Sequence, residues 1–385
     1  MPGIKINASE KLKSLPPYLF VEIDKEKRRA REEGRDIIDL GIGDPDQPAP
    51  EFIVEALNKA AADGTNHHYS LDSGLPALRE QIAQWYSERF NVNLDPATQV
   101  YPLIGSKEGL AHLPLGLINP GDNVLIPDPA YPVYYSASIF AGAKPIAMPL
   151  LEKNGFLPDL TKLPNAKLAY LNYPNNPTSA IAGVDFYEEL ISIARKNNMV
   201  LASDFAYSEL FYDDKRPLSF LQVKGATDTG IEFHSLSKTY NMTGWRIGWV
   251  CGNPEIISLL ARVKSNIDSG VFQAVQIAAI AALKDKSDFC QRMRDLYQER
   301  RDVFVEGLTK LGWKVKKPAA TFYIWVSVPT KESSVDFSKR LLKEANIVAA
   351  PGVGFGRFGE GYVRFALTVP KERLAQALER IKKII

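Results

Sequence analysis

Short apolar runs and helical periodicities alternate along this chain. The runs at Asn123–Ile126, Lys167–Leu171, Met199–Ser203, Glu232–Ser235 and Ile247–Cys251 are strand candidates. Between Ala77 and Phe90, Leu78, Ile82, Trp85 and Arg89 recur at helical spacing and give one mostly apolar face. After Pro370, a residue suited to a first turn, Leu374, Leu378, Ile381 and Ile385 recur in the same way and predict a closing helix. Such alternation predicts an α/β sheet with crossover helices. Strand density places a large domain at residues 46–284. Residues 1–45 and 285–385 then form a smaller domain, with Leu15–Phe20 as an N-terminal arm.

The ends of the runs carry the unusual residues. In an open parallel sheet, ligands sit beyond the carboxyl ends of the strands. Here those ends hold Asp128-Pro129, the segment from Asn172 to Pro177, Asp204, and Ser235 to Lys238. A partly desolvated lysine beside another cation becomes a nucleophilic amine, and Lys238 is followed by Arg246. The flanking hydroxyls and Arg246 suit a phosphate dianion. Asp204 could pair with a protonated ring nitrogen and keep that ring an electron sink. Tyr207 follows from the same loop. Each has a plainer reading: a surface lysine, a helix N-cap, a half-buried tyrosine.

Three further segments read similarly. Asn176 stands before Pro177 in a loop of extended or turn geometry, where its amide could donate to a phenolate oxygen or simply shape the turn. The Asn176-Pro177 bond, and with it Asp128-Pro129, is a candidate cis peptide. Ser106 and Lys107 follow Gly105 at the start of a helical pattern, where free amides bind phosphate and also serve as ordinary caps. Tyr131 offers a ring face, for stacking or for core packing. Arg364 sits inside an apolar strand-like run and needs an anionic partner, either an internal carboxylate or a ligand's.

Composition narrows the class. Of 385 residues, 45% are hydrophobic and 24% charged, the profile of a globular chain with a large core. The net charge of +2 and the absence of a dense Lys/Arg block argue against a nucleic-acid partner. Two cysteines, Cys251 and Cys290, are too few for a disulfide framework. Met1 to Lys13 lacks an apolar signal core, and no stretch is long enough to span a bilayer, so no membrane partner is expected. A cytoplasmic location is the expectation.

Taken in order, these residues resemble the class I/II aminotransferases of the fold-type I pyridoxal-phosphate enzymes. The resemblance rests on Tyr173 to Thr178, Ser203 to Tyr207, Ser235 to Lys238 with Arg246, and Arg364. It implies a large domain with a mostly parallel seven-stranded sheet, a smaller α/β domain, and pyridoxal phosphate as cofactor, with no metal. It further implies Lys238 as Schiff-base lysine and proton shuttle, Asp204 at the ring nitrogen, Asn176 and Tyr207 at the phenolic oxygen, and Tyr131 stacked on the ring. Ser106, Lys107, Ser235, Ser237 and Arg246 would surround the phosphate, joined by Tyr69 from a neighbouring subunit of a homodimer. Gly43 and Arg364 would take the substrate α-carboxylate. Within the family, Leu15–Phe20, Leu40–Asp46 and Lys264–Gly270 are similar to the LL-diaminopimelate aminotransferases. That implies an amino acid and a 2-oxo acid, diaminopimelate with 2-oxoglutarate, as substrates, with Tyr18, Lys107 and Ser269 as substrate contacts. Other readings are an aspartate, alanine or aromatic aminotransferase, or a carbon–sulfur β-lyase using the same lysine. The effector domain of a transcription regulator shares such a fold, but no basic helix-turn-helix is evident.

Overall fold

Leu168 and Tyr170 face one helical layer, whereas Ala169 and Leu171 face another. Successive side chains of a strand point to opposite faces, so a sheet covered on both sides needs an unbroken apolar run. That is why the runs read from the sequence fold as strands. The computed structural model describes residues 4–16, 19–70 and 73–385. Its strands, in chain order, are β1 (Ile38–Asp39), β2 (Val100–Leu103), β3 (Asn123–Asp128), β4 (Lys144–Pro149), β5 (Leu168–Asn172), β6 (Val200–Asp204), β7 (Gly230–Ser235), β8 (Gly248–Gly252), β9 (Tyr323–Ser327), β10 (Ile347–Val348), β11 (Ala350–Pro351) and β12 (Tyr362–Ala366).

Seven strands form the central sheet in the order β2-β8-β7-β6-β5-β3-β4. β3 to β7 pair in parallel, and β8 runs antiparallel to both its neighbours. The expected mostly parallel seven-stranded sheet is present. Helices Ser106–Leu117, Val133–Ala141 and Pro254–Lys264 cover one face through Leu110, Tyr134 and Leu260. Helices Glu51–Ala61, Pro76–Phe90, Val184–Asn197 and Gln273–Leu283 cover the other through Ile53, Ile82, Leu190 and Ala279. Strand β4 escaped the sequence reading. It is half-buried at the sheet edge and carries Pro145 and Pro149, which an edge strand tolerates.

A third core joins helix Phe289–Lys310, through Tyr297, Phe304 and Leu308, to β9, β12 and the closing helix. That closing helix spans Lys371–Ile381, with Pro370 as the residue before its first turn. Leu374 and Ile381 are buried as expected, but Ile385 lies beyond the helix and is exposed. Ile384, just past the helix end, still packs against this core. Arg300 grips Asp46 with two hydrogen bonds of 2.7 and 2.8 Å and donates to the Leu367 carbonyl, fixing the segment that leads from β1 toward the sheet. Asn176-Pro177 and Asp128-Pro129 are both cis, as expected, and so is Tyr173-Pro174. Among the described residues, no helix is long and apolar enough to cross a membrane.

Candidate active site

Past the carboxyl ends of β3, β5, β6 and β7 lies a cavity of about 360 Å³. Lys238 enters it from the short helix Leu236–Thr239 that follows β7. Its Nζ donates to the Gly43 carbonyl at 2.6 Å. Burial pushes its pKa down to about 8, with Arg364 and Arg246 repelling a proton and Asp44 favouring it. Lys238 is therefore close to giving up its proton near neutrality, as a nucleophilic amine must.

Asp204 closes β6 and lines the same cavity, 5% exposed. Its Oδ2 accepts a hydrogen bond from the Tyr134 hydroxyl at 2.7 Å, while Oδ1 is buried without a partner. Burial raises its pKa to about 6, opposed by the Tyr134 bond and the Ala206 amide. Asn172, at the end of β5, holds this corner together. Its Nδ2 donates to the Asp204 carbonyl at 2.9 Å and its Oδ1 accepts from the Asn176 amide at 2.8 Å.

A polar cradle forms the next wall. Ser106 and Lys107 begin the helix Ser106–Leu117, preceded by Gly105 at φ +76°. A Cβ at Gly105 would collide with the Arg246 guanidinium, so the glycine makes room for that cation. Ser235 caps its short helix by accepting from the Ser237 amide at 3.1 Å. Ser106, Lys107, Ser235, Ser237, Thr243 and Arg246 all line the cavity. Two cations, several hydroxyls and a helix start fit a phosphate dianion. Tyr131 lines the cavity nearby, with Lys107 Nζ 5.7 Å from its ring centre.

Opposite stands Arg364 on β12, 4% exposed. It donates to Asn176 Oδ1 and to the Gly41 carbonyl, each at 2.7 Å, and its Nε has no partner. Its guanidinium lies 4.2 Å from the Tyr323 ring centre and 4.7 Å from that of Phe355. Among the described residues no carboxylate pairs with it, which removes the internal-partner reading of this arginine. Tyr207 reaches the cavity with its hydroxyl 2.8 Å from that of Tyr323.

Thus the structure brings together Gly43, Ser106, Lys107, Tyr131, Asn176, Asp204, Tyr207, Ser235, Ser237, Lys238, Arg246 and Arg364 around one cavity. Tyr69 and Ser269 are exposed and lie outside its lining. Tyr18 lies outside the described residues. Tyr134, Tyr323 and Phe355 escaped the sequence reading, and Asn172 entered it only as the start of a polar segment, with no role of its own. Asn172 carried a usable signal, a polar residue at the end of an apolar strand.

Comparison with known proteins decides the family. Residues 35–381 match the model of aminotransferase class I and II. The chain belongs to that family.

Among its relatives, an LL-diaminopimelate aminotransferase of Aquifex aeolicus is 52% identical over 381 residues, 98% of each chain. Substrate-bound BacF from Bacillus subtilis superimposes with a TM-score of 0.94 at 39% identity, over 99% of this chain and 98% of that one. An aspartate aminotransferase mutant of Thermus thermophilus gives 0.93 at 29% identity, over 99% of this chain and all of that one. Nothing in these likenesses favours a β-lyase.

As a class I/II aminotransferase, the protein uses pyridoxal phosphate. Its residues fit that group. The unpartnered Asp204 Oδ1, buried at the cavity wall, calls for a cationic N–H, which a protonated pyridine nitrogen provides. The cradle matches the phosphate, and Lys238, lowered to about 8, matches the aldehyde.

Proposed function

We propose that this aminotransferase takes LL-diaminopimelate as amino donor and 2-oxoglutarate as acceptor, a step of lysine biosynthesis. The observation that carries the reading is Arg364, a buried guanidinium that no carboxylate among the described residues pairs with, in the same cavity as Lys238 and Asp204. Such a fork takes a carboxylate with two parallel hydrogen bonds. The name of the full-length relatives supports diaminopimelate in particular.

Pyridoxal phosphate, when bound, supplies an aldehyde for the substrate amine and a ring that accepts the electron pair left on Cα. The chain's own residues do the rest. Ser106, Lys107, Ser235, Ser237 and Arg246 hold the phosphate. Asp204 Oδ1, buried without a partner, would accept the ring N–H and keep it protonated, and Tyr131 would cover the ring face. Asn176 and Tyr207 would donate to the ring oxygen. Arg364 and the Gly43 amide hold the α-carboxylate, which orients the Cα proton. Lys238 Nζ would carry the aldehyde when the cofactor is bound and, once displaced by the substrate amine, would be the amine that moves that proton. Lys107 would meet the distal amino-acid head from within this cavity, Ser269, exposed and outside it, would reach the site of a partner subunit, and Tyr18 is a further candidate contact. Tyr69 completes the phosphate site of a partner subunit in a cytoplasmic homodimer. Residues 46–284 make the cofactor-binding domain, with 1–45 and 285–385 as the smaller one.

The test is kcat/KM for LL-diaminopimelate against aspartate, alanine and phenylalanine, with 2-oxoglutarate as acceptor. LL-diaminopimelate should lead. A site that hydrogen-bonds the distal head rejects donors lacking it strongly. If any of the three wins by about tenfold, about 1.4 kcal/mol of transition-state binding, the substrate assignment falls and the Lys238 chemistry stands.

A further inference from the structure

We infer that Tyr323 is a positioning residue that couples the carboxylate site at Arg364 to the Tyr207 hydroxyl, through two separable parts of one side chain. The inference rests on the cofactor reading above and goes beyond it.

Tyr323 begins β9 and is 2% exposed, yet it lines the cavity. Its ring face lies under the Arg364 guanidinium, and Phe355 stacks against the same cation. A guanidinium between two aromatic faces loses most of its freedom to swing, so its open edge stays aimed. The Tyr323 hydroxyl meets that of Tyr207 at 2.8 Å. It also sits against Gly43, where a Cβ would collide with it, and Gly43 is the residue whose carbonyl receives the Lys238 ammonium.

The backbone of Tyr323 is held on both sides. Its amide donates to Thr321 Oγ1 at 3.0 Å, and its carbonyl accepts from Ser179 Oγ at 2.9 Å. Ser179 and Thr321 bond each other at 2.6 Å, and Ser179 lies in the loop that carries Asn176. The ring is therefore placed by the loop that also supplies a partner to Arg364. One side chain touches the carboxylate fork, the phenol and the glycine bridge to the lysine.

The two parts come apart in two variants. Tyr323→Phe keeps the ring and removes the hydroxyl. Either hydroxyl could donate in the Tyr207–Tyr323 pair, but a Tyr207 that donates to the cofactor's ring oxygen must accept from Tyr323. The variant therefore leaves Tyr207 without that donor and a weaker donor itself. That donation favours the deprotonated chromophore, so weakening it raises the pH midpoint of the visible band. We expect a rise of about half a unit or more, with the KM for the amino acid unchanged within about twofold. Tyr323→Leu removes the ring face as well. The KM for the amino acid and the dissociation constant of 2-oxoglutarate should each rise about tenfold.

Thermal unfolding of the cofactor-free variants separates these effects from loss of fold, since a merely structural role lowers the midpoint of unfolding and leaves the spectral midpoint where it was. An unmoved spectral midpoint in Tyr323→Phe would overturn the proposal, as would an unchanged KM in a folded Tyr323→Leu. A wild type with no visible band would overturn the cofactor reading along with it, so the two failures are distinguishable.

Discussion

Asp204→Asn separates what the carboxylate costs the cofactor-free protein from what it does for the cofactor. Burial raises the carboxyl from 3.8 to about 6. The difference of about 2 units, at 1.36 kcal/mol per unit, is about 3 kcal/mol. Its sign follows from the direction of the shift. The folded protein holds the proton more tightly than the unfolded chain, so this contribution is most favourable near pH 3.8 and below. It is lost as pH rises to about 6, above which the whole cost applies. Asparagine keeps the shape and still accepts from Tyr134, but carries no charge. Cofactor-free Asp204→Asn should therefore be more stable than wild type by up to about 3 kcal/mol at pH 8, and by about half of that at pH 5. Loading with pyridoxal phosphate should reverse the order, because only the wild type gains the ring-nitrogen pair. Calorimetric unfolding of both proteins, with and without cofactor, at the two pH values reads all of this. Turnover of the loaded variant should fall about 100-fold or more. A cofactor-free variant less stable than wild type at pH 8, or an equal gap at both pH values, would refute the reasoning.

The remaining expectations concern the rest of the site. Lys238→Ala should lose transamination by about 1,000-fold or more. Burial holds Lys238 at about 8, below its ordinary 10.5, so the cost of its charge is full below pH 8 and fades as pH rises toward 10.5. Cofactor-free Lys238→Ala should then unfold at higher temperature than wild type at pH 7, with the gap closing at pH 10. Arg364→Lys should raise the KM for both amino acid and oxo acid about 100-fold without moving the cofactor's absorbance, because the forked pair is lost and the charge is kept. Sedimentation should show a homodimer. Mixing Tyr69→Ala with Lys238→Ala should raise activity above either alone, because one site in each mixed dimer is then intact; purely additive activity would contradict a shared site.

Much of this site was legible because strand ends are legible. Lys238, Asp204 and Asn176 stand out where continuous apolar runs, fixed by burial on both sheet faces, stop at polar residues. Arg364 stood out for the opposite reason, a charge inside a run. Tyr323 did not, since Phe322-Tyr323-Ile324-Trp325-Val326 reads as core and is mostly core. Its role depends on a loop more than a hundred residues earlier reaching it, which no local pattern encodes. Tyr134 failed likewise, being a fully buried helix residue whose hydroxyl happens to reach Asp204. The edge strand β4 was hidden by its prolines and its half-buried faces, and the helix stops at Ile381, so Ile385 falls outside the periodic face although Ile384 still packs on the core.

The most direct test of the account is where the cofactor is attached. Borohydride reduction of the loaded enzyme fixes pyridoxal phosphate to whichever lysine carries it, and peptide mass spectrometry reads the position. The account predicts a phosphopyridoxyl mass on Lys238 alone, with loss of the visible band and of activity in step. A label on Lys107 or Lys264 instead, or a reduced enzyme that stays active with no labelled peptide, would contradict it.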